Sequence, residues 1–424
     1  MTATGLAVAA VLFMAICEAP LFAVLAALTA VLRYGADGDL MAMQTIFIEM
    51  YRLAGMPVLV ALPLFTLAGC MLNATAAPRR MTDLLQALFG WLPGGVGVAA
   101  VGACALFTAL TGASGVTILA LGGVLYPILR YERRYPKDFT LGLLTTGGSL
   151  GLLFAPSLPL ILYAVVAQVD IGLVFHAAVV PGVLLMAVLA AYCVVRRKGV
   201  ERPSQGRPAI GAALRHSAWD WPILGIILLG VYGGLTTVAE VSVLVVTYIF
   251  VVECLVLGEI HWRRQLPAIM VESAMLSGAI ILILAAALAL TGYLVEAQVP
   301  QRILALLTGL TESRVLFLAG LNLFLIAVGC MMDIFSAIVV VVPIMIPVAM
   351  SYGIDPIHLG IIFLVNLEIG YATPPVGINL FIASLKFNVP ITRLYRASLP
   401  FLALMLVVLA LITYLPGLSL WAIR

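Results

Sequence analysis

Residues 357–385 form a hydrophobic run long enough to cross a bilayer, yet its middle cannot be a continuous helix. A crossing helix needs about 20 apolar residues. Within that length the stretch from Asn366 to Leu380 reads Asn-Leu-Glu-Ile-Gly-Tyr-Ala-Thr-Pro-Pro-Val-Gly-Ile-Asn-Leu, and Gly370, Thr373, Pro374, Pro375 and Gly377 all interrupt a helix there. Proline removes an amide donor and clashes with the preceding turn, and glycine loosens the backbone. Broken backbone at mid-membrane depth is tolerated only inside protein or along a water-filled cavity. The stretch is therefore a candidate ligand or ion site, with a kinked helix packed against neighbours as the plainer alternative. How often the chain repeats the device separates the two.

The rest of the chain is equally apolar: 64% of its 424 residues are hydrophobic and 10% are charged. Soluble domains average about 25% charged residues, so the composition implies a polytopic, all-α membrane protein. The net charge of +3 reflects basic loops and gives no sign of nucleic-acid binding. Six cysteines lie scattered through apolar runs without zinc or disulfide spacing and read as small core residues. The first run lacks a basic n-region and does not read as a cleaved signal peptide.

Along the chain, residues 5–32 are one crossing or two short helices, because Glu18 and Pro20 interrupt them. Residues 56–72 are a span. After Arg79-Arg80, the apolar positions Met81, Leu84, Leu85, Leu88, Phe89 and Leu92 fall on one stripe of a helix lying along the membrane surface. Residues 96–129 break at Thr111-Gly112-Ala113-Ser114-Gly115, as one long tilted helix or as a re-entrant hairpin, and the short arms favour the hairpin. Residues 139–166 break at Ala155-Pro156-Ser157-Leu158-Pro159, and 172–195 are a span. A basic linker, 196–218, is the best internal boundary. Spans follow at 221–238, 241–257 and 267–294, a second amphipathic helix at 300–310, and a second hairpin at 315–350 with its tip at Gly329-Cys330-Met331-Met332-Asp333. The broken run comes next, and 399–421 is the last span.

The second half echoes the first. A displacement of 218 residues sets Leu141-Gly142 on Leu359-Gly360, Pro156 on Pro374 and Tyr163 on Phe381. Residues 1–195 and 219–424 thus read as two repeats, each with a hairpin and a broken helix, the pattern expected of a transporter. Basic residues favour the cytoplasmic side. Arg79, Arg80, Arg130, Arg133, Arg134 and Lys137 flank the first hairpin, whereas Glu312, Arg314, Asp355 and His358 flank the second with little net charge. The first hairpin is expected to enter from the cytoplasm and the second from outside. Counting crossings gives the same inverted relation and a C-terminus outside.

Two tips and two breaks supply four unwound segments. Free amides at half-helix N-termini attract anions, and unwound carbonyls coordinate cations. Thr111, Ser114, Ser157 and Thr373 add hydroxyls, and Asn366 and Asn379 flank the last break. This set suits sodium with an organic anion. No Arg or Lys lies inside a hydrophobic run, so a carboxylate would be held by amides, hydroxyls and bound sodium. Asp333 at the second tip is either a site residue or the cap of the second arm. Glu368 is a proton site, a supporting partner or a packing contact. Glu18, Glu240, Glu253, Glu272 and Glu296, with His176 and His216, lie near run ends and read as interfacial. Zinc-hydrolase, nucleophile-elbow and P-loop signatures are missing, which disfavours an intramembrane enzyme and leaves an ion gradient to drive uptake.

The stretches Leu62-Pro63-Leu64-Phe65-Thr66-Leu67-Ala68-Gly69, Pro156-Ser157-Leu158-Pro159, Gly353-Ile354-Asp355-Pro356 and the broken run through Phe381 resemble the large membrane subunit of tripartite ATP-independent periplasmic (TRAP) transporters, of the DctM type. The last motif is the most specific, and the resemblance runs over essentially the whole chain. It implies the ion-transporter superfamily, scaffold and transport domains and an elevator mechanism in a bacterial inner membrane, surrounded by lipid. It further implies sodium-coupled uptake of an organic acid with no cofactor. The expected partners are a periplasmic binding protein and a small four-helix membrane subunit on a separate polypeptide. The implied site comprises Thr111, Gly112, Ser114, Pro156, Ser157, Gly329, Met332, Asp333, Asn366, Gly370, Thr373, Pro374, Gly377 and Asn379. Two departures stand out: Ala155 replaces a frequent first proline, and the first tip lacks a frequent second serine. A stand-alone carrier of the same superfamily is the rival reading.

Overall fold

The computed structural model describes residues 3–16, 19–38, 44–92, 94–132, 135–196, 210–299, 301–302, 305 and 313–423, and among them the only regular structure is helical. Seven helices are long and apolar enough to cross a membrane, or up to nine when each of two sharply bent pairs counts as one crossing. Local chemistry starts several of them. Asp170 accepts a hydrogen bond from the Leu173 amide (2.9 Å), and Asp355 accepts one from the Ile357 amide (2.8 Å) ahead of Pro356. Thr237 and Glu240 form a reciprocal capping box. Each device satisfies amides that a helix N-terminus leaves open.

The first hairpin is Gly95–Thr111 and Ser114–Pro127, and the second is Arg314–Met331 and Ile334–Ser351. Each is followed by a broken helix, Lys137–Gly147 with Leu158–Ala167 and then Pro356–Tyr371 with Ile378–Phe387, and by a continuous crossing, Ile171–Val195 and Ile391–Tyr414. Packing exchanges between the halves. The second arm of the first hairpin lies on Ile378–Phe387, and that of the second hairpin lies on Leu158–Ala167.

Helix Ile391–Tyr414 shows which way each hairpin enters. Near its start, Arg393 Nε donates to Asp138 Oδ1 (2.6 Å), beside the base of the first hairpin, where Tyr135 Oη donates to the Gly94 carbonyl (3.3 Å). At its far end, Tyr414 Oη donates to the carbonyl of Val315, at the base of the second hairpin (3.3 Å). The two bases therefore lie at opposite ends of one crossing. Length alone would count Ser114–Glu132, Arg314–Met331 and Ile334–Ser351 as crossings, but both tips stop at the helix breaks. They are re-entrant, and the repeat is inverted.

Several expectations need correction. The break in the last run spans only residues 372–377; Asn366 and Gly370 sit within Pro356–Tyr371, and Asn379 within Ile378–Phe387. Gly370 is there for close approach: a Cβ on it would lie 2.5 Å from the Gly329 carbonyl carbon. The amphipathic helix Ala77–Phe89 meets the preceding span at 75°. It buries Arg80, Met81, Leu84 and Ala87 and leaves Phe89 exposed, so its apolar face is turned from the expected stripe. The cause is Arg80, which is drawn inward by acids. Its Nε and Nη2 donate to Asp220 (both 3.0 Å), Nη2 to Glu253 (2.6 Å) and Nη1 to Glu259 (2.6 Å). Glu253, expected to be interfacial, is 2% exposed and paired. The linker residues 197–209 and most of the expected helix 300–310 lie outside the described residues.

Candidate functional site at the hairpin tips and helix breaks

At the first tip, Gly112 closes helix Gly95–Thr111 with φ 67°, in the left-handed region open to glycine, and its amide donates to the Thr108 carbonyl (2.7 Å). A Cβ there would also lie 2.6 Å from Leu158 Cγ, so the tip is pressed onto the half-helix that follows the first break. Thr111 returns its hydroxyl to the Phe107 carbonyl (2.9 Å). Ser114 Oγ donates to Asn379 Oδ1 (2.8 Å), reaching into the other repeat. No side chain caps the helix that begins at Ser114. Just behind the tip, Thr108 Oγ1 lies 2.7 Å from Thr117 Oγ1 and 2.8 Å from the Gly148 carbonyl oxygen. That oxygen cluster was missed in the sequence; its signal is Thr108, three residues before Thr111 and on the same helical face.

The first break runs through a single 3-10 turn, Leu150–Leu153, and extended backbone at Phe154. The Ala155–Pro156 peptide is cis, and Pro156 and Ser157 are buried. The Ala155 amide donates to Tyr232 Oη (3.1 Å). Ser157 Oγ is fully buried without a protein partner.

At the second tip, Met332 is extended and half-buried, and Asp333 caps the second arm. Asp333 Oδ1 accepts from the Phe335 and Ser336 amides (both 3.0 Å), Oδ2 accepts from Ser336 Oγ, and the Ile334 amide donates to Tyr371 Oη. The capping role weighed for Asp333 is thus present in the geometry. Gly329 and Gly370 let the two backbones touch, and the Gly377 amide donates to the Cys330 carbonyl (3.0 Å). The Pro374–Pro375 peptide is cis, and Tyr395 Oη donates to the Pro375 carbonyl (2.7 Å). Thr373 Oγ1 donates to the Ile369 carbonyl (2.7 Å).

The structure thus brings Gly112 onto Leu158 and Ser114 onto Asn379 at the first tip, and gathers Gly329, Asp333, Gly370 and Gly377 at the second. Asn366 stands apart: its Nδ2 donates to Asn322 Oδ1 and to the Ile362 carbonyl (both 2.8 Å), and Asn322 Nδ2 donates to Thr413 Oγ1 (3.1 Å). It joins three helices before the break begins. Glu368 is fully buried, and neither carboxyl oxygen has a hydrogen-bond partner. Asn379 Nδ2 is likewise buried and unpartnered. A buried polar group left open is costly unless something meets it. No group of three His, Cys, Asp or Glu among the described residues is placed for a metal. The oxygens at the tips are hydroxyls, carbonyls and one carboxylate, a set that suits a hard cation.

Residues 1–418 match the family model described as "Tripartite ATP-independent periplasmic transporter, DctM component". The chain belongs to this DctM family. Among its relatives, the C4-dicarboxylate TRAP transporter large permease protein DctM of Pseudomonas aeruginosa is 34% identical over 89% of both chains. The ectoine/5-hydroxyectoine TRAP transporter large permease protein UehC of Ruegeria pomeroyi is 30% identical, over 91% of this chain and 90% of that one. The isethionate TRAP transporter permease protein DctMQ of Oleidesulfovibrio alaskensis is 34% identical over 86% of this chain, but this chain spans only 58% of that protein. The solved YdaH transporter of Alcanivorax borkumensis shares the fold, with a TM-score of 0.61 at 16% identity over 89% of this chain and 90% of that one. The DctM chain is accordingly a multi-pass TRAP permease of the bacterial inner membrane and a transport protein rather than an enzyme.

Proposed function

We propose that this chain is the moving subunit of a sodium-coupled, binding-protein-dependent importer of an organic carboxylate. Within it the two hairpins and two broken helices, with Ile171–Val195 and Ile391–Tyr414, travel as one body against a scaffold of the remaining helices. The observation that carries this reading is the meeting of the two re-entrant tips with the two helix breaks, from hairpins based at opposite ends. Such a body offers its midpoint to either side in turn. The repeats are taken as residues 1–195 and 219–424, with the basic linker cytoplasmic and the C-terminus periplasmic.

In this reading sodium binds at hydroxyl and carbonyl oxygens of Thr111, Ser114, Ser157, Asp333 and Thr373, and the substrate carboxylate meets tip amides and Asn379. Gly112, Pro156, Gly329, Met332, Gly370, Pro374 and Gly377 shape the unwound backbone. One net charge moved inward down 100 mV supplies about 2.3 kcal/mol, so an electrogenic cycle needs at least two sodium ions per monoanion. The relatives' names span a dicarboxylate, isethionate and ectoine, in keeping with selection by a separate periplasmic binding protein. A small membrane subunit completes the assembly. The test is uptake in proteoliposomes holding all partners: Asp333→Ala and Thr373→Ala should each weaken sodium dependence. Unchanged sodium dependence in both would remove the site assignment.

A further inference from the structure

Two polar contacts cross between the proposed moving body and the proposed scaffold at one residue, Tyr232. This residue ends the scaffold helix that runs from Trp221 to Ile227 and continues through Leu228–Tyr232. Its hydroxyl accepts from the Ala155 amide (3.1 Å), at the unwound segment of the first break. Its carbonyl oxygen lies 3.3 Å from His176 Nε2, on the crossing Ile171–Val195, and the two rings pack edge to face with centroids 5.5 Å apart. The remaining contact beside it is apolar and incompletely filled. A cavity of about 210 Å³ lies there, between Phe154, Ala155 and Met186 of one body and Leu224, Leu228 and Tyr232 of the other. Apolar surfaces with room between them slide past one another with little specificity, whereas hydrogen bonds hold one register. A rigid displacement beyond the roughly 3 Å reach of a hydrogen bond breaks both Tyr232 contacts at once.

We infer that Tyr232 is a latch that selects the conformational state seen here, by holding the amide of the first helix break to the scaffold. The inference rests on the elevator reading. Tyr232 lies outside the proposed sodium and carboxylate groups, so it sets which way the site faces without binding cargo. The latch is the phenolic oxygen, and Tyr232→Phe removes that atom while keeping the ring that packs on His176.

The test is an inter-label distance measurement on the full chain in nanodiscs. Spin labels sit at exposed Trp262 on the scaffold and exposed Leu385 on the moving body, with sodium chloride or choline chloride as the probe. The wild-type background should show two distances, one matching this structure. Tyr232→Phe should lower the ratio of that component to the other by about five-fold, as expected for one hydrogen bond lost from one of two states, and His176→Phe should shift it in the same direction. Two distances with an unchanged ratio in Tyr232→Phe would overturn the latch and leave the elevator reading standing. A single distance in wild type under both salts would overturn the elevator reading and the latch with it.

Discussion

The two hairpin tips are reached by the same order of elements but closed in different ways. At the second, the new helix begins with its donors occupied: Asp333 takes the Phe335 and Ser336 amides and Tyr371 takes the Ile334 amide. The tip is further tied to the break of its own repeat through Gly377 and Cys330. At the first, Ala113 stands where Asp333 would be and offers no cap. Ser114 instead reaches across to Asn379 of the other repeat and leaves Asn379 Nδ2 open. On the proposed function, the open amides and the open carboxamide donor of the first tip would meet the substrate carboxylate, beside sodium held by the neighbouring hydroxyls, while the second tip, already carrying a carboxylate at its helix start, would hold sodium alone.

The strongest way to break this comparison is to disturb the glycine-to-glycine contact of the second pair. A methyl on Gly370 meets the backbone of Gly329, so Gly370→Ala should cost about 1–3 kcal/mol, seen as a lower unfolding temperature of the detergent-solubilised protein. At the first tip, Gly115→Ala comes close only to Ile382 Cδ1, the mobile end of a side chain, and should stay within about 0.5 kcal/mol. Exchanging the caps comes next. Asp333→Ala should lose about 1 kcal/mol of stability, and Ala113→Asp should gain about as much. The gain should come with slower uptake, because the new carboxylate occupies the amides assigned to the substrate. An Ala113→Asp variant that transports normally would remove the anion from the first tip. The smallest effects are single hydrogen bonds. Ser114→Ala and Tyr395→Phe should each cost about 0.5–1 kcal/mol, and Ser114→Ala should also raise the substrate concentration for half-maximal uptake while Tyr395→Phe leaves it unchanged.

What the sequence disclosed of this arrangement follows from the range of the interactions. Breaks at Pro156 and Pro374 were legible because proline and glycine act on the backbone next to them, whatever the fold. The stripe of Ala77–Phe89 was legible as a helix but misjudged in rotation, because Arg80 finds Asp220, Glu253 and Glu259 at separations of 140, 173 and 179 residues. Desolvation pushes the Asp220 carboxyl above the usual carboxylate range even beside that guanidinium, a measure of how enclosed the cluster is. A sequence signal was present: Arg80 lies four residues before Leu84, a charge on the apolar face. Gly370 reads in the sequence as a helix breaker, yet it lies in a helix because its missing side chain serves the approach of Gly329. Tyr232 gave no signal, since its partner, Ala155, lies 77 residues away.

The central claim is that the two hairpins enter from opposite faces and meet at one midpoint. Single cysteines at exposed Tyr131, just after the first hairpin, and exposed Ser351, at the base of the second, can be challenged in intact cells with a membrane-impermeant maleimide. The account predicts that Ser351→Cys reacts from outside and Tyr131→Cys reacts only after the membrane is opened. Labelling of both from the same face would contradict the inverted repeat and the site built on it.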